Sequence, residues 1–194
     1  MALTESTMAA LGTKMPVFEL PDVRTGATVS SGQFAGKKAV LVMFICRHCP
    51  YVVHVKDELP RLGQDFQPRD VGVVAISCND AGKYPLDAPP QLREMAKDLG
   101  FSFPLCYDES QAVGKAFTAA CTPDFFLYDK DCRLVYRGQL DDSRPGNGKP
   151  VTGRDVRSAL EALLTGKEIS KDQKPSAGCN IKWKAGNEPN YYLR

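Results

Sequence analysis

Ala39-Val40-Leu41-Val42-Met43-Phe44-Ile45-Cys46-Arg47-His48-Cys49-Pro50 is the stretch that decides the fold of this 194-residue chain. Six apolar residues without alternation, Ala39–Phe44, predict a central strand covered on both faces. Two thiols two residues apart follow at once, and a helix is expected to open at or near Cys49. At that junction the thiols can close a small disulfide ring. Helix N–H groups and the helix dipole are expected to stabilise a thiolate at Cys46. The chemistry implied is thiol–disulfide exchange.

Working outward, residues 51–66 carry Val52, Val55, Leu59 and Leu62 at helical spacing, with a kink expected at Pro60. Lys56, Asp57 and Glu58 are expected on its solvated face. Residues 71–78 predict a second buried strand, 79–89 a loop, 90–99 a helix between Pro and Gly, and 104–107 a third strand. A short helix at 110–118 precedes a hairpin of 125–128 and 133–137. A last helix is striped by Val156, Leu160 and Leu163, with Thr152 as its expected N-cap. Before the first strand, residues 17–29 read as a small hairpin turning at Arg24-Thr25-Gly26, and 1–14 as a polar leader. The domain is drawn at 1–166. Residues 167–194 form a polar tail, expected to lie over the domain and to be anchored by the only Trp, Trp183. Strand and helix alternate before the hairpin, so the fold class is α/β. A mixed sheet carries helices on both faces, with an N-terminal β-hairpin and a C-terminal tail.

Composition narrows the function. The chain has 43% hydrophobic and 25% charged residues, as a folded globular protein does. Its 25 basic and 23 acidic side chains leave a net charge of +2, too balanced to mark a nucleic-acid surface. No apolar run is long enough for a membrane span, and no secretory signal is apparent at the N-terminus. Seven cysteines, an odd and scattered set, argue against a secreted disulfide framework and for a reducing, cytoplasmic setting with one functional pair. Cys78, Cys106, Cys121 and Cys132 are expected in the core, in strands or in turns. Cys179 is either exposed or tucked against the domain.

Four strings carry a resemblance to a known family: FICRHCPYV at 44–52, ACTPDFFLYD at 120–129, YRGQLDDSRPGN at 136–147 and GCNIKWKAGNEP at 178–189. With a βαβα stretch between the first two, residues 17–164 resemble thioredoxin-fold proteins of the alkyl hydroperoxide reductase/thiol-specific antioxidant group. Within it they resemble peroxiredoxin-like proteins that keep a C-x-x-C. The resemblance implies that Cys46 attacks, as the more exposed and more acidic thiol, and that Cys49 resolves. It also implies a cis bond between Thr122 and Pro123, whose backbone would meet an extended substrate chain. Asp124 then falls at a strand start on the surface or on the rim of the pocket. Arg47 and His48, between the thiols, are expected to lower the Cys46 pKa. That would make the pair a few tens of millivolts more oxidising than thioredoxin at about −270 mV. Thioredoxins carry a buried acid in the strand before the motif; Ala39–Phe44 has none.

The rival is a peroxide reductase with Cys49 as the peroxidatic thiol. Val42 and Cys46 stand where that pattern needs Pro and Thr, and no Arg lies near Thr122. A zinc site could draw on Cys46, His48, Cys49 and Cys179, but a second C-x-x-C or a paired H-x₃-H is missing. The remaining alternative is a non-catalytic interaction module. No cofactor or resident metal is expected. The expected partners are a protein or small disulfide and a thiol reductant or oxidant, not nucleic acid or membrane.

Overall fold

The computed structural model describes residues 3–193. Met1, Ala2 and Arg194, at the outer ends of the expected leader and tail, lie outside them. A five-stranded sheet organises the chain, in the order β6 (Leu105–Tyr107), β5 (Val71–Ser77), β4 (Ala39–Phe44), β8 (Asp124–Asp129), β9 (Leu134–Gly138). β4, β5 and β6 are parallel; β8 runs antiparallel to β4, and β9 antiparallel to β8. All six residues of β4 are buried, as a strand covered on both faces requires.

The two-residue period divides β4 between two cores. Ala39, Leu41 and Met43 join Leu59, Leu62 and Phe66 of α2 (Leu59–Phe66), Leu92 of α3 (Pro89–Asp98) and Leu160 of α5 (Arg154–Leu164). Val40, Val42 and Phe44 face Phe34, Phe117 and Trp183. Phe117, which follows α4 (Ala112–Ala116), packs edge-on against Phe44 and Phe126 at 5.4 and 5.9 Å between ring centres.

The 51–66 helix is broken rather than kinked. α1 (Pro50–Val55) stops, and α2 restarts at Leu59 with Pro60 in its first turn. Proline has no N–H to continue the ladder, so its place is the start of a helix. Glu58, expected on a solvated face, is instead buried and bonded by Arg157 Nε at 2.5 Å. The cap of α5 is Gly153 and not Thr152, with Asp141 accepting from the Thr152 and Gly153 N–H groups.

The hairpin β2 (Glu19–Pro21) and β3 (Thr28–Ser30) forms where it is predicted. The leader and the tail do not remain simple extensions. β1 (Leu3–Glu5), β10 (Ala177–Asn180) and β7 (Cys121–Thr122) make a second, antiparallel sheet in the order β1-β10-β7. Beyond it, Ile181 and Trp183 are buried in the core that Val42 and Phe44 line.

Candidate redox site

Cys46 lies in the loop after β4, and Cys49 is the residue that caps α1. The start of α1 therefore falls just after the second thiol and a full turn away from the first. This shift has a consequence for charge. The helix N–H that reaches a sulfur is that of Val52, and it reaches Cys49.

Thr122 sits under both thiols. Its Oγ1 is 3.3 Å from Cys46 Sγ, and its carbonyl oxygen accepts from Cys49 Sγ at 3.2 Å when that thiol is protonated. The bond from Thr122 to Pro123 is cis. The two sulfurs are hydrogen-bonded to each other, and both residues are shut off from solvent, Cys46 at 1% and Cys49 at 0% exposure.

The expected acidity of the pair is reversed. Cys49 is lowered to about 5. The Cys46 hydrogen bond is the main cause; burial opposes it, while Cys179, Thr122 and the Val52 N–H add to it. Cys46 is raised well above the ordinary thiol value, first by its bond to Cys49, then by burial, then by the negative charge of Asp87. The Thr122 hydroxyl opposes that rise. The surroundings of the pair thus favour the proton on Cys46 and the negative charge on Cys49.

Arg47 and His48 do not tune Cys46 in the way expected of loop cations. The Arg47 guanidinium reaches away to the Gln91 carbonyl at 2.8 Å and to Glu94 at 2.9 Å, on α3. His48 Nδ1 meets Asp87 Oδ2 at 2.5 Å, and its ring stacks on Tyr84 at 5.3 Å. Asp87 is fully buried and also accepts from the Arg47 N–H at 2.8 Å, the His48 N–H at 3.2 Å and Asn79 Nδ2 at 2.7 Å. Burial pushes its carboxyl up, but these bonds more than offset it and leave it below the ordinary range. A carboxylate fixes the loop between the thiols, and its charge raises Cys46 rather than lowering it. The oxidising poise predicted from loop cations therefore has no geometric support.

Sequence reasoning missed Asp87 because it comes from a polar loop far beyond Cys49 in the chain, where nothing in the residue pattern marks it. It also misplaced Asp124. That carboxyl is neither on the surface nor on a rim: it is fully buried, opposite Phe44 in the β4–β8 register. Burial raises it to about 7 against the help of Ser6, whose Oγ donates to Oδ1 at 2.9 Å. A buried acid is present after all, supplied by the strand beside β4.

Cys179, expected to be either exposed or tucked against the domain, is tucked in beside the pair. It is buried, pairs with Thr122 in the β10–β7 register, and hydrogen-bonds the Cys49 sulfur. Burial, followed by the bond to Cys49 and its charge, raises its own pKa to about 12. The Thr122 edge, expected to receive an extended substrate, is occupied by the chain's own C-terminal strand. Gly178 makes this close approach possible, because a Cβ there would meet the Thr122 carbonyl oxygen at 2.1 Å. Cys78, Cys106 and Cys121 are buried with raised pKa values, as inert core thiols should be.

Cys46, His48 and Asp87 have donor atoms within 4.8 Å of one another, a grouping that could share a metal ion. In it, His48 Nδ1 is bonded to Asp87, and Cys46 is held protonated by Cys49 and Asp87. A metal there would have to displace the His48–Asp87 hydrogen bond. Among the described residues no helix is long and apolar enough to cross a membrane.

A mixed sheet with a dithiol at the end of its central strand, opposite a cis-proline, is the thioredoxin fold, here in a peroxiredoxin-like form. The chain belongs to the Redoxin family, whose model matches residues 10–156. It is similar to the crystal structure of an uncharacterized conserved protein from Geobacillus kaustophilus, at 52% identity and a TM-score of 0.93, covering 95% of this chain and 97% of that one. A hypothetical protein from Sinorhizobium meliloti 1021 is 47% identical with a TM-score of 0.92, covering 94% and 100%. A thiol:disulfide interchange protein of the thioredoxin family from Chlorobium tepidum TLS shares the fold at 19% identity and a TM-score of 0.60, covering 80% and 98%. No curated protein matches the sequence.

Proposed function

We propose that this chain is a thiol–disulfide oxidoreductase whose Cys46–Cys49 pair cycles between dithiol and disulfide. The observation that supports it most is the direct hydrogen bond between the two thiols, with Thr122 touching both. Cys46 attacks a substrate disulfide while its proton passes to the Cys49 sulfur, which then holds it in a hydrogen bond to the Thr122 carbonyl oxygen. One substrate sulfur leaves as a thiolate. Cys49 next gives up the proton to that leaving group and attacks Cys46 in the mixed disulfide. The Cys46–Cys49 bond forms, the bond from Cys46 to substrate breaks, and the substrate gains two electrons, leaving as one thiol and one thiolate that takes its proton from solvent.

Insulin reduction with dithiothreitol tests this. Turnover is expected in the wild type and lost in Cys46→Ser; turnover that persists in Cys46→Ser sinks the proposal. Bound zinc in the purified protein, with no turnover, would replace it with a metal site.

A second reading rests on the negative charge at Cys49, the position that aligns with a peroxidatic thiol. There the thiolate attacks one oxygen of hydrogen peroxide to give a sulfenic acid, the other oxygen leaving as hydroxide that takes a proton to become water, and the Cys46 thiol condenses with the sulfenic acid to a disulfide and a second water. Rapid peroxide consumption lost in Cys49→Ser favours this reading; slow consumption with active insulin reduction favours the first. The cytoplasmic setting inferred from cysteine usage belongs with both.

A further inference from the structure

Three thiols meet at Thr122, and only two of them belong to the C-x-x-C. β10 lies along β7 in antiparallel register with Cys179 opposite Thr122 and Asn180 opposite Cys121. Directly opposed residues of such a pair have Cα atoms about 4.5–5.5 Å apart, so Cys179 is delivered to the same point that Cys46 and Cys49 contact. The strand is held on both sides of this point. On one side Ser176 Oγ donates to the Pro123 carbonyl at 2.5 Å, and Ser176 N–H to Ser6 Oγ at 2.8 Å. On the other, the Ile181 N–H bonds the Ala120 carbonyl at 3.1 Å and the Lys182 N–H bonds Asn79 at 2.8 Å. Gly178, without a Cβ, lets the two backbones close.

A short extended segment that adds to an edge strand and sets a sulfur beside a reactive dithiol has the form of a bound disulfide-exchange substrate. We propose that β10 is an internal substrate of this protein and that Cys179 is a third redox thiol, which exchanges with the Cys46–Cys49 disulfide to form a Cys49–Cys179 disulfide. This rests on the Cys46–Cys49 pair being the redox centre. The exchange needs no outside oxidant. The Cys179 sulfur loses its proton and attacks Cys49; the Cys49–Cys179 bond forms as the Cys46–Cys49 bond breaks. Cys46 leaves with the electron pair and takes up the proton. The total oxidation state is unchanged, and the oxidised protein becomes two isomers of one disulfide. In the second isomer Cys46 is again a thiol, while the tail is covalently tied across the groove that an outside chain would need.

Disulfide mapping decides this with the full-length protein. Trypsin cuts after Arg47 and so separates Cys46 from Cys49, while Cys179 falls in the peptide of residues 172–182. After equilibration with oxidised dithiothreitol, the wild type is expected to give both the 46–49 and the 49–179 linked peptides. Cys46→Ser, and Cys46→Ala as a second variant, should convert to the 49–179 linkage in most molecules. Cys179→Ser should give the 46–49 linkage alone. If the Cys46 variants keep wild-type circular dichroism and form no 49–179 linkage while the wild type forms 46–49, the inference is overturned and the redox centre stands. If the wild type forms neither linkage, the redox centre itself fails. If neither Cys46 variant folds, the wild-type map alone decides, since a 46–49 linkage with no 49–179 species overturns the inference.

Discussion

At the residue scale the two touching thiols stand in unlike surroundings, which lower Cys49 and raise Cys46. Cys49 gathers the Cys46 and Cys179 hydrogen bonds, the Thr122 hydroxyl and the Val52 N–H, whereas Cys46 faces Asp87. Thiolate absorbance near 240 nm in the reduced protein should therefore titrate one sulfur with a midpoint of about 5. In Cys49→Ser that transition should vanish, and in Thr122→Val it should rise about ten- to a hundredfold in proton affinity, the worth of a hydrogen bond to a charged group. A midpoint left near an ordinary thiol value of about 8.5 in the wild type would reject the charge assignment. Asp124 makes the opposite kind of prediction. Its folded pKa of about 7 lies above the unfolded value of about 3.9. Its contribution is therefore fully favourable below about pH 4 and is lost as pH rises through 7. Asp124→Asn keeps an acceptor for Ser6 and cannot ionise. Urea unfolding should show the variant gaining on the wild type between pH 5 and 8. The gain across that range should be about 2.5–3 kcal/mol, because each pH unit between pH 5 and the folded value near 7 is worth about 1.4 kcal/mol. A constant difference across that range would mean that the carboxyl is not buried as described.

At the scale of elements, β4 and β5 were legible almost residue for residue, because a strand covered on both faces must be apolar throughout. The dithiol was legible for the same reason: it follows the end of such a strand. β10 was not. Ala177-Gly178-Cys179-Asn180 has neither alternation nor β-branched residues, and it becomes a strand only because β7 and β1 offer edges on either side. Asp87 and Asp124 were hidden by the same kind of cause, since their roles come from burial against residues distant in sequence. The helix break could be read only as a kink, since Pro60 marks the interruption but not the buried ion pair that Glu58 makes with Arg157 beside it. The close fit of β10 gives a direct test. In Gly178→Ala the new Cβ would sit 2.1 Å from the Thr122 oxygen, a backbone atom that no rotamer change can move. The strand must part from β7 there. The 240 nm midpoint is then expected to rise towards that of Cys179→Ala, because in both Cys49 loses a donor. A midpoint that stays at about 5 in both variants would show that Cys179 does not support the thiolate.

At the scale of the whole molecule, the tail packs over the Cys46–Cys49 pair as a structural part of the fold. Lys174 O accepts from the Gln139 N–H at 3.0 Å, Lys182 O accepts from the Asp80 N–H at 2.8 Å, and Trp183 is buried beside Gly114. Lys182 also lies over the Tyr84 ring, which stacks on His48, so the tail touches the loop between the thiols as well as the groove. Both thiols are buried, so an outside disulfide reaches them only after some part of their cover moves, and β10 is one such part. Lifting β10 exposes one short strand and a few apolar side chains, far less than global unfolding, so a local opening is the economical route. Trp183→Ala removes the largest anchor, a change that costs about 3–5 kcal/mol at a well-packed site. If the tail opens as its own unit, hydrogen exchange in residues 178–181 should quicken at least tenfold in that variant, while residues 41–43 of β4 keep their protection relative to the global stability. Insulin reduction should then quicken with the amides of β10. If all amides accelerate together and reduction does not, the tail is one cooperative unit with the sheet, and the substrate must reach Cys46 from the side of the Arg47–His48 loop.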